Sequence, residues 1–88
     1  MTDAKIEERF KCVDCSVHTG EIDECYMVQD YIWRRSGLAL DGGMLCIGCL
    51  EKRINVKLTN IDFAHAPINI ISQQSERLQN RINTKRVA

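Results

Sequence analysis

Two cysteine pairs constrain this chain more than any other feature of its sequence. They read CVDC at residues 12–15 and CIGC at residues 46–49, with 30 residues between them. Each Cys-x-x-Cys turn can direct two sulfurs to one point, and four thiolates form the closed tetrahedral shell of a structural zinc site. The pattern therefore predicts one structural Zn²⁺ ion, and its predicted ligands are Cys12, Cys15, Cys46 and Cys49.

The fifth cysteine argues against a disulfide framework, because an odd count leaves a thiol unpaired. A thioredoxin-like dithiol needs only one pair and an α/β domain around it, for which 88 residues leave too little room. Cys25 is interpreted as a small buried hydrophobe, with a reactive thiol as the alternative. His18, three residues after Cys15, is interpreted as a loop residue, with metal ligation as the alternative.

The sequence around the two pairs predicts a small zinc-stapled α+β fold. The segment RFKCVDC is typical of a short strand that runs into a knuckle, a tight turn whose backbone N–H groups point at the sulfurs. The turn at residues 41–43 and a return strand at residues 44–46 would complete a β-hairpin. A helix then starts at the second knuckle and ends at Asn55. This order of hairpin and helix predicts a treble-clef-like zinc finger followed by a C-terminal helix, with a zinc ribbon as the alternative.

Capping signals predict further local structure between and after the cysteine pairs. Asp30 can cap a short helix that Gly37 ends in the left-handed conformation. Thr59 with Asp62 resembles a capping box in which Asp replaces the usual Glu or Gln. Three apolar residues near this box are expected to pack on the zinc core: Leu58, Ile61 and Phe63.

Pro67 divides the chain into a predicted zinc-binding domain, residues 1–66, and a C-terminal helical arm, residues 67–88. The arm consists of helix formers but has few apolar positions, which predicts a helix that is unstable alone. It would dock on its own domain, pair with a partner, or fray. Its apolar stripe is formed by Ile71, Leu78 and Ile82, and its opposite side forms a basic face of Arg77, Arg81 and Lys85.

The formal net charge is zero, but the charges are unevenly distributed. Residues 1–50 carry five basic and nine acidic side chains, and residues 51–88 carry seven basic and three acidic ones. Only the second half therefore suits a phosphate backbone. No apolar run is long enough to span a membrane, and the N-terminus lacks the apolar core of a signal peptide. We expect a cytoplasmic protein of a bacterial host cell that does not contact the membrane.

Three stretches together resemble a group of small, uncharacterised zinc-binding proteins of bacteria and bacteriophages. The stretches are YMVQDYIW, GGMLCIGCLEKRI and the following DF, and the resemblance covers about residues 12–63. It implies a small zinc-bearing fold and a phage or mobile-element origin. Asn55 stands where a Gly would be expected after KRI, and both residues tolerate a positive φ.

The sequence predicts a non-catalytic module. A closed Cys₄ site has no open position for water, no H-x-E motif of a zinc deaminase is present, and neither histidine lies in an HNH-nuclease context. We expect a protein-interaction adaptor or inhibitor, phage-encoded and acting on a host or defence protein. The alternatives are a DNA- or RNA-binding zinc finger that uses the basic C-terminal helix and, less favoured, an HNH-like nuclease relative. A homodimer through that helix is a further option. The candidate partner-binding residues are Trp33, Arg34, Arg35, Arg77, Arg81 and Lys85.

Overall fold

The computed structural model describes residues 10–39, 42–71 and 73–86, and in them the fold is built from short helices. None of the helices in these ranges is both long and apolar enough to cross a bilayer. The α-helices are α1 (Asp30–Ser36), α2 (Ile47–Ile54), α3 (Ile68–Ile71) and α4 (Glu76–Asn83), and a 3₁₀ helix spans Asn60–Asp62.

The described residues form no β-hairpin. Extended pairing is limited to isolated bridges, and Met44 pairs with Cys12 in parallel instead of returning along a hairpin. The chain after α1 is held close to that helix, because the Trp33 indole Nε1–H donates to the carbonyl oxygen of Ala39 at 2.7 Å. The Gly42 N–H donates to the same oxygen at 2.9 Å. Asp41, part of the predicted hairpin turn, lies outside the described residues.

The predicted helix ends are confirmed. Gly37 ends α1 with φ 90°, and Asn55 ends α2 with φ 60° and ψ 35°, both in the left-handed region. The N-cap of α1 is Gln29, so the prediction that Asp30 caps this helix is wrong by one position. Asp30 lies instead in the first turn, where its carboxylate still faces the positive end of the helix dipole.

The capping box around the 3₁₀ helix is also confirmed, since Thr59 and Asp62 bond reciprocally. Leu58 and Phe63 are buried in the core as predicted, but Ile61 is 48% exposed and its predicted packing is wrong. The reason is the tight turn, which points Asp62 inward to serve the cap and so turns the neighbouring isoleucine towards solvent.

The described part of the predicted arm, residues 67–88, packs on the rest of the chain. Leu78 of α4 is fully buried in the same hydrophobic cluster as α1 and α2, and Ile82 packs against that cluster. Backbone bonds secure both ends of α4: Ser75 N–H donates to Asp23 O, and Asn60 N–H donates to Thr84 O. The Ile71 side chain lies outside the described part of the structure. The domain boundary at residue 67 stays a prediction.

Candidate metal centre

The two cysteine pairs meet in space. The four sulfurs of Cys12, Cys15, Cys46 and Cys49 all lie within 4.8 Å of one another, and Cys15 Sγ is 3.8 Å from Cys46 Sγ. Tetrahedral metal–sulfur bonds of about 2.3 Å place their sulfurs about 3.8 Å apart. The cluster therefore has the dimensions of a shell around one metal ion.

The first pair lies on a tight knuckle formed by residues 12–17. The Cys12 N–H donates to Val17 O at 2.7 Å, and the Ser16 N–H donates to Cys12 O at 2.8 Å. Ser16 adopts φ 67°, which lets the chain reverse within this turn. The reversal leaves both sulfurs facing the second pair, and the backbone N–H groups of Asp14 and Cys15 point at the Cys12 sulfur.

The second pair lies at the start of α2. Cys46 is the N-cap and Cys49 follows three residues later, so both sulfurs project from one side of the first turn. The free N–H groups and the positive dipole end at this position favour thiolates. The Cys49 N–H bonds to the Cys46 sulfur. The predicted helix start at the second knuckle is confirmed.

The thiols influence one another strongly. Burial of Cys12 opposes ionisation, but N–H donation from Cys46, Cys15 and Asp14 outweighs burial and lowers the pKa of Cys12 to about 7. Burial raises the pKa of Cys46 and of Cys49, and neighbouring sulfurs raise the pKa of Cys49 further. One ionised sulfur therefore opposes ionisation of the others, and a shared divalent cation would compensate all four charges.

A buried carboxylate lies beside this centre. Glu24 is 2% exposed, and its Oε1 accepts the N–H of Ile47, the residue that follows ligand candidate Cys46, at 3.0 Å. Its Oε2 accepts the hydroxyl of Ser75, the N-cap of α4, at 2.8 Å. These donors and Arg77 overcome the effect of burial and lower the pKa of Glu24 below its usual range. Glu24 therefore joins the start of α2 to the start of α4.

Arg77 forms a two-pronged ion pair with Glu24 and also interacts with the Cys46 sulfur. Its Nε lies 3.0 Å from Glu24 Oε2 and its Nη2 lies 2.8 Å from Oε1. Gly48 leaves space for the guanidinium, because a Cβ at this position would lie 2.6 Å from Arg77 Nη1. Sequence reasoning missed Glu24, since 53 residues separate it from Arg77 and no local pattern marks it.

The structure places the predicted partner-binding residues in different environments. Trp33 is 8% exposed and belongs to the core, so it is not part of an exposed surface with its neighbours Arg34 and Arg35. Both of these arginines are exposed, and one of them, Arg35, donates to the carbonyl of Ile54 at 3.4 Å. Their predicted role in binding stays a prediction.

The predicted basic face of the C-terminal helix is largely paired within the chain. In addition to the Arg77 pair, Arg81 donates to both carboxylate oxygens of Glu51 at 2.7 and 3.2 Å. Lys85, beyond the end of α4, is exposed. Two of the three cations on this face therefore hold the helix in place.

His18 and Cys25 lie outside the four-sulfur cluster. His18 Nδ1 accepts the Glu21 N–H at 3.2 Å, and its ring contacts the Phe10 ring in a tilted arrangement with centroids 5.8 Å apart. Cys25 is half-buried and unbridged. The position of His18 agrees with its interpretation as a loop residue, whereas Cys25, interpreted as a small buried hydrophobe, is only half-buried.

Comparisons with known proteins give no family for this chain. It matches no protein-family model, no curated protein and no solved structure.

Proposed function

We propose that the protein is a non-catalytic module whose fold is stabilised by one structural Zn²⁺ ion on Cys12, Cys15, Cys46 and Cys49. The observation that carries this proposal is the meeting of the four sulfurs within 4.8 Å of one another. An all-sulfur tetrahedral shell suits Zn²⁺. Because the ion would join two turns that are distant in the sequence, the free energy of metal binding contributes to the free energy of folding.

We further propose a treble-clef-like arrangement in place of a zinc ribbon. A knuckle supplies the first two sulfurs, and the N-cap and first turn of a helix supply the last two. In a ribbon both pairs would lie on hairpin turns, whereas the second pair here lies on α2. The described residues between the two pairs form no hairpin, so the arrangement we propose is a reduced form of the treble clef.

The absence of catalysis is part of this proposal and is argued from the donor set. Four sulfurs complete a tetrahedral shell and leave no position for a water or substrate ligand. His18, the histidine closest in sequence to the cluster, accepts a backbone N–H through Nδ1 and contacts the Phe10 ring. These contacts give it a structural role in the loop after the first knuckle.

For the partner, we propose a protein, with the module acting as an adaptor or inhibitor that a phage encodes against a host or defence protein. The resemblance to small phage and bacterial proteins supports the origin. The internal pairing of Arg77 and Arg81 supports a protein partner over nucleic acid, because guanidiniums bound to Glu24 and Glu51 are poor phosphate ligands. The acidic first half of the chain further disfavours a phosphate backbone.

Native mass spectrometry of the full chain, purified without added metal, tests the zinc proposal. The expected mass increment is one zinc less the protons of four thiols, and the same spectrum reports a homodimer if one forms. A folded protein with no metal, or with an iron–sulfur cluster, would contradict the proposal.

A salt titration with duplex DNA and single-stranded RNA tests the choice of partner. Phosphate-dominated binding weakens steeply as salt rises. We expect no binding at physiological salt. Binding that falls steeply with salt and is lost in an Arg34→Ala, Lys85→Ala variant would instead support the nucleic-acid alternative, since both residues are exposed and absent from the ion pairs above.

A further inference from the structure

Two carboxylate–guanidinium pairs attach α4 to the rest of the protein, and they differ in the backbone N–H group that the carboxylate also accepts. Arg81 binds Glu51 in the second half of α2, and Glu51 Oε2 also accepts the N–H of Leu58, which lies beyond the end of that helix. Arg77 binds Glu24, whose Oε1 accepts the N–H of Ile47 at the start of α2. Only the second pair, among the described residues, joins α4 directly to the first turn that carries Cys46.

The Glu24 pair depends on the position of that first turn. Glu24 is buried, so its charge requires all of its donors, and these come from α2, from the α4 cap and from α4 itself. A metal ion bound by Cys46 and the first knuckle fixes the start of α2 and thereby the Ile47 donor. Without that restraint, the carboxylate loses a partner that it cannot replace with water.

The charge of the metal centre also favours docking of α4 when the metal is bound. Four thiolates and one divalent cation carry a net charge of −2, which attracts the Arg77 guanidinium that is paired with Glu24 beside this centre. Gly48 permits this close approach by leaving the space that a side chain would occupy. Hydrogen bonds from outside the ligand shell commonly tune metal affinity, and their removal costs about 10–100-fold.

We propose that metal binding and docking of the C-terminal helix are coupled through Glu24 and Arg77, so that each strengthens the other. This inference rests on the proposed metal site and adds a regulatory property to it. Because a coupling free energy is reciprocal, loosening α4 at Arg77 weakens metal binding, and metal removal releases α4. The metal-loaded protein keeps Arg77 bound internally, and the metal-free protein presents it to solvent.

The test measures Zn²⁺ affinity in the full chain by competition with a chromogenic chelator, together with amide hydrogen exchange in α4. The variants are Glu24→Gln and Arg77→Gln, with Arg77→Lys to restore the charge. The matched control is Glu51→Gln, which loosens α4 through Arg81 at a carboxylate of α2 whose donors, Leu58 and Arg81, lie outside the first turn of that helix. We expect Arg77→Gln to keep one Zn²⁺ per chain, to bind it about tenfold or more weakly and to lose protection in α4.

The remaining outcomes separate this inference from the proposed function. Arg77→Lys should recover part of the lost affinity, and Glu51→Gln should stay within about threefold of the parent protein. If Glu24→Gln fails to fold, Arg77→Gln alone tests the coupling. The Arg77 side chain is 41% exposed, so its replacement leaves the core intact. One bound Zn²⁺ with unchanged affinity in Arg77→Gln would overturn the coupling alone, whereas no bound Zn²⁺ in the parent protein would overturn the proposed function.

Discussion

The five cysteines of this chain lie in two different environments. Four of them converge on one point from a knuckle and a helix start, and Cys25 lies apart from them as an unbridged, half-buried thiol. A buried or half-buried cysteine without a cluster behaves as a small hydrophobe. The same residue type therefore forms a candidate metal site at four positions and lies outside that site at the fifth.

Cys46→Ser should abolish metal binding and leave the chain unfolded or insoluble, because the closed shell loses a ligand and the two turns lose their link. Cys25→Ser is the matched control and should keep one metal ion and a cooperative melting transition. Circular dichroism with metal analysis measures both. A soluble Cys46→Ser protein that melts cooperatively without metal would contradict the structural role of the ion.

Gly48→Ala should have two opposing effects on the free energy of unfolding, and a double-mutant cycle with Arg77→Ala separates them. Alanine is favoured over glycine inside a helix by about 1 kcal/mol, but a Cβ at position 48 displaces the Arg77 guanidinium. We expect Gly48→Ala to stabilise the Arg77→Ala protein by about that amount and the parent protein by clearly less. Equal gains in both backgrounds, measured by urea unfolding, would show that the two residues do not interact.

At the scale of elements, α4 owes its order to contacts with other parts of the chain. A helix of eight residues is unstable alone in water. Here Ser75 caps it by accepting the Leu78 N–H, Leu78 enters the core, and two arginines reach buried or half-buried carboxylates. The sequence left three alternatives for this segment: docking on its own domain, pairing with a partner, or fraying. The structure shows α4 docked on its own domain.

Leu78→Ala should destabilise the protein by about 2–5 kcal/mol, because it leaves a cavity beneath α4 at a fully buried position. Ile70→Ala removes a side chain that is 80% exposed and should change the free energy of unfolding by less than about 0.5 kcal/mol. Urea denaturation of the metal-loaded proteins measures both values. Similar values for the two variants would contradict the docking of α4.

At the scale of the whole molecule, few elements hold the chain in shape without the metal. The described residues contain no continuous sheet, and their helices have at most eight residues. A chain of this length buries a limited core and commonly needs a cross-link. The four-cysteine cluster joins residues 12–15 to residues 46–49, where the proposed metal ion would supply that cross-link.

Stability should fall as pH decreases, because protons compete with the metal for the four sulfurs. Burial and neighbouring sulfurs raise the pKa of Cys49, so its thiolate depends on the bound cation. Metal binding should therefore release protons, which calorimetry in two buffers of different ionisation enthalpy measures. Affinity that does not change between pH 8 and pH 6 would contradict thiolate ligation.

The sequence by itself determined the features that depend on a few neighbouring residues. These are the two Cys-x-x-Cys turns, the left-handed helix ends at Gly37 and Asn55, and the Thr59–Asp62 capping box. In each case the physical cause lies within the local backbone: the reach of a Cys-x-x-Cys turn, the tolerance of a positive φ, or a bond across three residues. A pattern in the printed sequence is then sufficient.

Only the tertiary structure decided which charged and aromatic side chains are available to a partner. Trp33 is buried because the chain after α1 folds back over it, and Arg77 is paired because Glu24, 53 residues earlier, lies buried beside the metal centre. The described residues on either side of the predicted turn bond elsewhere and form no hairpin: Ala39 O accepts the indole N–H of Trp33 in α1, and Met44 O accepts the Val13 N–H of the first knuckle. Such contacts depend on how distant segments pack, and packing leaves no local pattern in the sequence.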